Sequence, residues 1–304
     1  MFSSQSGVAK LCLLVIIGLI VIKVVVAVIT GSISILAQAA DSFLDLFAVG
    51  ITYLAVRWAA KPADEEHHFG HGKVESIAAV VQAVLILTAG GLIINSAVHR
   101  IIEGTTIELA EVGIGVMLVT VIVNIFFSRH LLKVSRATDS IALEAFARNI
   151  TADVYSTGGV LIGLVAIRFT GLNVLDPVIA LAVALLILKA AYDVMRKSFR
   201  GLIDVRLPEL EENEIKSSIA EHYPELVGFH KLRTRKAGSQ RFIDLHLVMP
   251  KNASVQEAHQ MCDHLEQDIK NRLPNCSVTI HVEPCDTGCE ECLVISCSLR
   301  KRRS

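Results

Sequence analysis

The chain has 304 residues, 52% of them hydrophobic, with a mean hydropathy of +0.54 and a formal net charge of −1. That is too apolar for an ordinary soluble domain, and a charge so near zero leaves no overall electrostatic footprint for nucleic acid. The apolarity is uneven: residues 1–200 hold long apolar runs, whereas residues 205–304 read as soluble protein.

A membrane-crossing helix needs about 20 mostly apolar residues. Six stretches qualify: Leu11–Thr30, Ile33–Trp58, Ser76–Val98, Val112–Ser128, Ile141–Ile167 and Pro177–Met195. The first is too long for a signal h-region and lacks a small-residue cleavage site, so it reads as a retained span. Arg57, Lys61 and Lys73 close span two, Arg129, Lys133 and Arg136 close span four, and Arg196, Lys197 and Arg200 close span six. The other ends offer only Arg100 and Arg168, the former beside Glu103, Glu108 and Glu111. The positive-inside rule therefore places both termini in the cytoplasm.

Span two contains "ADSFLDLFAVG", residues 40–50, with Asp41 and Asp45 one helical turn apart on one face. A charged group at bilayer depth costs about 3 kcal/mol on insertion scales, so a pair of acids requires a reason. In span five, "ARNITADVYS" repeats the spacing with Asn149 and Asp153. If the two helices pack together, four oxygen-bearing side chains converge and a divalent cation offsets the carboxylate charge. The plainer alternatives are polar residues satisfied by helix–helix hydrogen bonds, or a proton site.

Between spans two and three, "DEEHHFGHGK" gathers Asp64, His67 and His71 at spacings of three and four, a weak pattern for a three-ligand metal site in a polar loop.

The soluble part reads helix–strand–strand–helix–strand. "PELEENEIKSSIAEHY" is a helix; "FHKLRTR" and "RFIDLHLVM" are strands around "KAGSQ". "SVQEAHQMCDHLEQDIKNRL" is a helix with Ser254 as N-cap, and "SVTIHVEP" is a strand that alternates Val278, Ile280 and Val282 with Thr279, His281 and Glu283. His246 shares a strand face with Asp244, as His281 does with Glu283. Such faces suit a borderline divalent metal, and equally suit plain solvation.

The chain ends on "PCDTGCEECLVISC", in which Cys285, Cys289, Cys292 and Cys297 form a candidate thiol metal site, with a reduced tail as the other reading. H-E-x-x-H, the phosphate-binding P-loop and G-x-S-x-G are all missing, so the sequence points away from an enzyme and, for uphill transport, toward an ion gradient as driving force.

Three segments carry a family resemblance: "GSISILAQAADSFLD", "KPADEEHHFGHGKVES" and "LRTRKAG…IDLHLVM…IHVEP". Together, from about residue 8 to residue 285, they resemble the cation diffusion facilitator family in its bacterial zinc/iron efflux branch. The resemblance implies an all-α six-helix transmembrane domain (residues 1–205) and a cytoplasmic α+β, metallochaperone-like αββαβ domain that senses metal and dimerises (residues 206–284). A Cys-rich basic tail (residues 285–304) follows. It implies a homodimer in the inner (plasma) membrane, multi-pass and embedded in lipid, that exchanges cytoplasmic divalent cations for protons. No organic cofactor is implied; Zn²⁺, Fe²⁺ and Mn²⁺, with Co²⁺ and Cd²⁺ behind them, are substrate and regulator.

Carried over by position, Asp41, Asp45 and Asp153 match the transport site, and Asp64, His67 and His71 the loop site. His230, His246, His259, His281 and Glu283 match a binuclear site at the interface of the soluble domains, with glutamate where aspartate is usual. Lys73 and Asp204 match an intersubunit ion pair. The departure is Asn149, which stands where zinc-transporting members resemble one another in having histidine; no histidine lies between residues 131 and 221. An all-oxygen shell suits harder ions such as Mn²⁺ and ranks iron or manganese ahead of zinc. A membrane-bound metal sensor or scaffold that binds without transporting is the second reading, and an integral-membrane metallohydrolase a distant third.

Overall fold

A computed structural model describes residues 5–30, 33–103, 111–170, 175–223 and 225–285. It divides into two compact units, 1–202 and 203–304, against an expected boundary at 205.

The first unit is a bundle of α1 (Gln5–Thr30), α2 (Ile33–Ala59), α3 (Lys73–Glu103), α4 (Glu111–Thr138), α5 (Ile141–Thr170) and α6 (Leu175–Leu202). Each has 26 to 31 residues, about 40 Å or more at 1.5 Å per residue, which exceeds the roughly 30 Å hydrocarbon layer. Among the described residues, 73–102, 117–138 and 177–202 are long and apolar enough to cross a membrane by length and composition alone. The bundle core runs from Cys12 and Ile16 on α1 through Ala48 and Val49 on α2 to Leu143, Phe146 and Ile150 on α5. α3 packs on α6 through Ile86, Ile187 and Ala191, and Lys73 Nζ donates to the Leu202 carbonyl at 3.3 Å, which puts the start of α3 and the end of α6 at one end of the bundle.

Two helices outrun the apolar stretches that announce them. α4 continues through Arg129, Lys133 and Arg136 to Thr138, and α6 through Arg196, Lys197 and Arg200. Long basic residues are good helix formers, so the end of an apolar run marks a change of solvent and not the end of a helix. Likewise Lys73, expected in the loop, opens α3.

The second unit follows the expected order: α7 (Glu209–Glu221), β1 (Gly228–Ala237), β2 (Gln240–Met249), α8 (Val255–Arg272) and β3 (Cys276–Pro284). β1 and β2 form an antiparallel hairpin through Gly238, whose φ of 62° suits a residue without Cβ. β3 lies parallel to β2, a pairing that needs the α8 crossover. α8 opens with a reciprocal cap: Ser254 Oγ accepts from Glu257 N at 3.2 Å and Glu257 Oε2 accepts from Ser254 N at 2.7 Å. One sheet face, with Ile243, Leu245 and Leu247, buries against Ile215 and Ile219 of α7 and Met261, Leu265 and Ile269 of α8. The other face carries the polar alternates.

Candidate metal sites

The first site joins α2 and α5. Asn149 is 9% exposed, and its Nδ2 donates to Asp45 Oδ1 at 3.3 Å. Asp153 lies one turn further along α5 and is half-buried. Asp41 lies one turn before Asp45 on α2, but its side chain falls outside those described. The amide that presents nitrogen to Asp45 turns its Oδ1 the other way, so the pair offers a carboxylate and a neutral oxygen from two helices. Further along α2 from Asp45, Thr52 is almost wholly buried, as is Gln82 of α3, which donates to it and to the Ala48 carbonyl. A lone Thr or Gln in an apolar run carries no spacing signal, so neither is legible in the sequence.

The second site is the loop between α2 and α3. Asp64 Oδ1 accepts from the backbone N–H groups of His67 at 2.7 Å and Glu66 at 3.2 Å, and lies 3.2 Å from His67 Nδ1. Asp64 Oδ2 stands 3.3 Å from His71 Nε2, and the two imidazoles lie 4.4 Å apart. The His67 backbone N–H holds the Asp64 carboxyl below its ordinary pKa. His71 Nδ1 is buried with no hydrogen-bond partner. One carboxylate and two imidazoles, with ligand atoms within 4.8 Å of one another, fit a three-ligand site.

The third site lies on the polar sheet face. His230, His246 and His281 are direct cross-strand partners on β1, β2 and β3 and make one row across the sheet. Glu283 joins them: Oε2 lies 2.9 Å from His230 Nε2, and Oε1 lies 2.7 Å from His246 Nδ1 and 3.8 Å from His281 Nε2. The His246 hydrogen bond holds the Glu283 carboxyl below its ordinary pKa. A bulge makes the row feasible. His230 pairs with His246 but Arg233 pairs with Asp244, so β1 carries one extra residue, and Lys231 absorbs it at φ 49°. His230 and Arg233 thereby share a face, where Arg233 Nη2 lies 3.6 Å from Asp244 Oδ2.

Other expected residues lie elsewhere. His259 pairs with Asp263 on its own helix at 3.6 Å, outside the His230–His246–Glu283 group. Asp204 lies 3.4 Å from Arg235 Nη1. Cys285 is buried at the end of β3, while Cys289, Cys292 and Cys297 lie outside the described residues.

Residues 9–203 match the cation efflux transmembrane domain, and residues 207–285 match the cation efflux protein cytoplasmic domain. The cation-efflux pump FieF of Salmonella paratyphi A is 36% identical over 268 residues, 88% of this chain and 89% of that one. FieF of Salmonella typhi is 37% identical over the same extent. The metal-bound C-terminal domain of the CzcD transporter from Thermotoga maritima is 26% identical over 26% of this chain and 94% of its own, with a TM-score of 0.24.

Proposed function

The chain belongs to the cation efflux family, through both its transmembrane and its cytoplasmic domain, and on that premise we propose that it exports divalent cations from the cytoplasm in exchange for protons. The observation that supports the reading is the Asn149–Asp45 hydrogen bond, which joins two polar side chains of α5 and α2 inside the bundle. The relatives it resembles over most of its length are cation-efflux pumps.

In this proposal Asp41, Asp45, Asn149 and Asp153 hold the cation being carried. Ligation needs ionised carboxylates, so protons and cation compete for the same oxygens. Asn149 does not titrate, and proton coupling falls on the three aspartates. The oxygen-only shell ranks Mn²⁺ and Fe²⁺ ahead of Zn²⁺. The site alternates between the two sides of the membrane, loading when its carboxylates are ionised and releasing when protons bind.

The His230–His246–Glu283 group, with His281 beside it, serves as a regulatory metal site in a homodimer, and the Asp64–His67–His71 loop as a second. Lys73 and Asp204 pair between protomers, and the cysteine-rich end adds a thiol site. Both termini lie in the cytoplasm and the membrane is the bacterial inner membrane.

The test is metal-driven proton movement by the protein reconstituted in vesicles that enclose a pH-sensitive dye. Antiport predicts proton counterflow with every cation that moves. Cation movement without a pH change removes the proton coupling. No movement from protein that still binds metal favours the membrane-bound sensor or scaffold.

A further inference from the structure

Gln82 on α3 is wholly buried, and its amide has one permitted orientation. Nε2 donates to the Ala48 carbonyl oxygen at 2.7 Å and to Thr52 Oγ1 at 3.1 Å. Thr52 Oγ1 spends its own proton on the same Ala48 carbonyl at 3.0 Å. Both groups facing the amide therefore accept, so the nitrogen must face them and Oε1 must face away. Oε1 is buried and has no hydrogen-bond partner, although buried acceptors are ordinarily satisfied by protein or by ordered water.

Its place in the bundle explains what could satisfy it. Asp45 precedes Ala48 by three residues on α2 and carries the bond to Asn149. Between α3 and α5, Ala79 and Ala83 pack with Ala145, while Ile86 packs with Ala152. Ala83, next to Gln82, groups with Ala145, which precedes Asn149 by one turn of α5, so Gln82 stands about one helical turn from the Asp45–Asn149 pair. α3 and α5 meet on this stretch through Ala79, Ala83 and Ala145, with Ile141 and Ile86 bounding it.

We propose that Gln82 is a positioning residue for the carried cation: its Oε1 accepts a hydrogen bond from a water that the cation retains while Asp45 and Asn149 hold it. The proposal rests on the reading of that pair as the transport site. A dication makes the protons of its water stronger donors, and a neutral carbonyl oxygen takes one without adding charge. The coordination number makes the effect selective. An octahedral, oxygen-preferring ion such as Mn²⁺ needs more ligands than four side chains supply, whereas tetrahedral Zn²⁺ does not.

The experiment is Mn²⁺ and Zn²⁺ uptake over a range of concentrations by the full-length protein in vesicles, for wild type, Gln82→Leu, Thr52→Val and Asp45→Ala. Loss of an outer-shell partner predicts that Gln82→Leu raises the KM for Mn²⁺ about tenfold and that for Zn²⁺ less than about twofold. Thr52→Val, which loosens the amide but leaves Ala48 to hold it, gives a smaller rise in the same order, and decides the matter if Gln82→Leu does not reconstitute. Equal changes for both metals, or a lower melting temperature with both KM values unchanged, overturn the proposal. So does a wild type that carries Zn²⁺ and no Mn²⁺. If Asp45→Ala retains uptake, the transport-site reading falls first; if it abolishes uptake while Gln82→Leu leaves the KM for Mn²⁺ unchanged, this proposal alone falls.

Discussion

Asn149 donates from Nδ2 to Asp45 Oδ1 across 3.3 Å, linking α5 to α2 by an amide where an imidazole would bring a nitrogen ligand. The bond fixes which end of the amide meets the carboxylate and leaves Oδ1 turned away from it. Asn149→His replaces a hard oxygen by a borderline nitrogen and adds a group that titrates near neutral pH. The Zn²⁺-to-Mn²⁺ transport ratio is expected to rise about tenfold, a difference of about 1.4 kcal/mol. An unchanged ratio in vesicle uptake assays would show that the aspartates alone set selectivity.

Asp64 organises its loop, taking two backbone N–H groups on one oxygen and standing within 3.3 Å of His71 on the other. Asp64→Ala removes both the candidate ligand and the loop's own framework. Calorimetric titration of the full-length protein in detergent with Zn²⁺ is expected to lose one ion per chain, while the sheet-face ion remains. Unchanged stoichiometry would dismiss the loop as a metal site.

Acid should destabilise the second unit through carboxylates held below their ordinary pKa. Arg272 does this to Glu221, the Ser254 backbone N–H to Glu257, and His246 to Glu283. Because the folded values lie below the unfolded one of about 4.3, the stabilisation is complete above that pH and is lost as pH falls through the folded values. The melting temperature of the protein in detergent should therefore hold steady down to about pH 4.5 and then drop, and Glu257→Gln should blunt the drop. A flat profile from pH 6 to pH 3 contradicts this.

α5 and α6 approach closely at Gly159, where an added Cβ would meet Val183 Cγ2 at 2.7 Å. A valine in a helix has little rotamer freedom with which to yield. Gly159→Ala is expected to cost about 1–3 kcal/mol, in the range of other overpacked contacts, and to lower the melting temperature. Val183→Ala in the same chain should recover most of that loss. A melting temperature unmoved by Gly159→Ala would mean that the helices part without penalty.

Much of the fold is legible in the sequence. Ser254 announced the start of α8, and the alternation of Val278, Ile280 and Val282 gave β3 its buried face. Asp45 and Asn149 stood out because polar groups in apolar runs need a cause. The β1 bulge did not, since it depends on Lys231 taking a positive φ, which no lysine signals in advance. The lengths of α4 and α6 were hidden because charge at the membrane edge looks like a loop while favouring a helix. Gln82 was hidden because its partners are a carbonyl and a hydroxyl on another helix, which no pattern within α3 encodes.

The central claim is that divalent cations cross the bundle at Asp45, and cation uptake into vesicles by wild type and Asp45→Ala tests it most directly. The account predicts saturable uptake of Mn²⁺, Fe²⁺ or Zn²⁺ by wild type, and none by Asp45→Ala protein that still binds metal at its loop and sheet-face sites. Uptake by Asp45→Ala at the wild-type rate would contradict it.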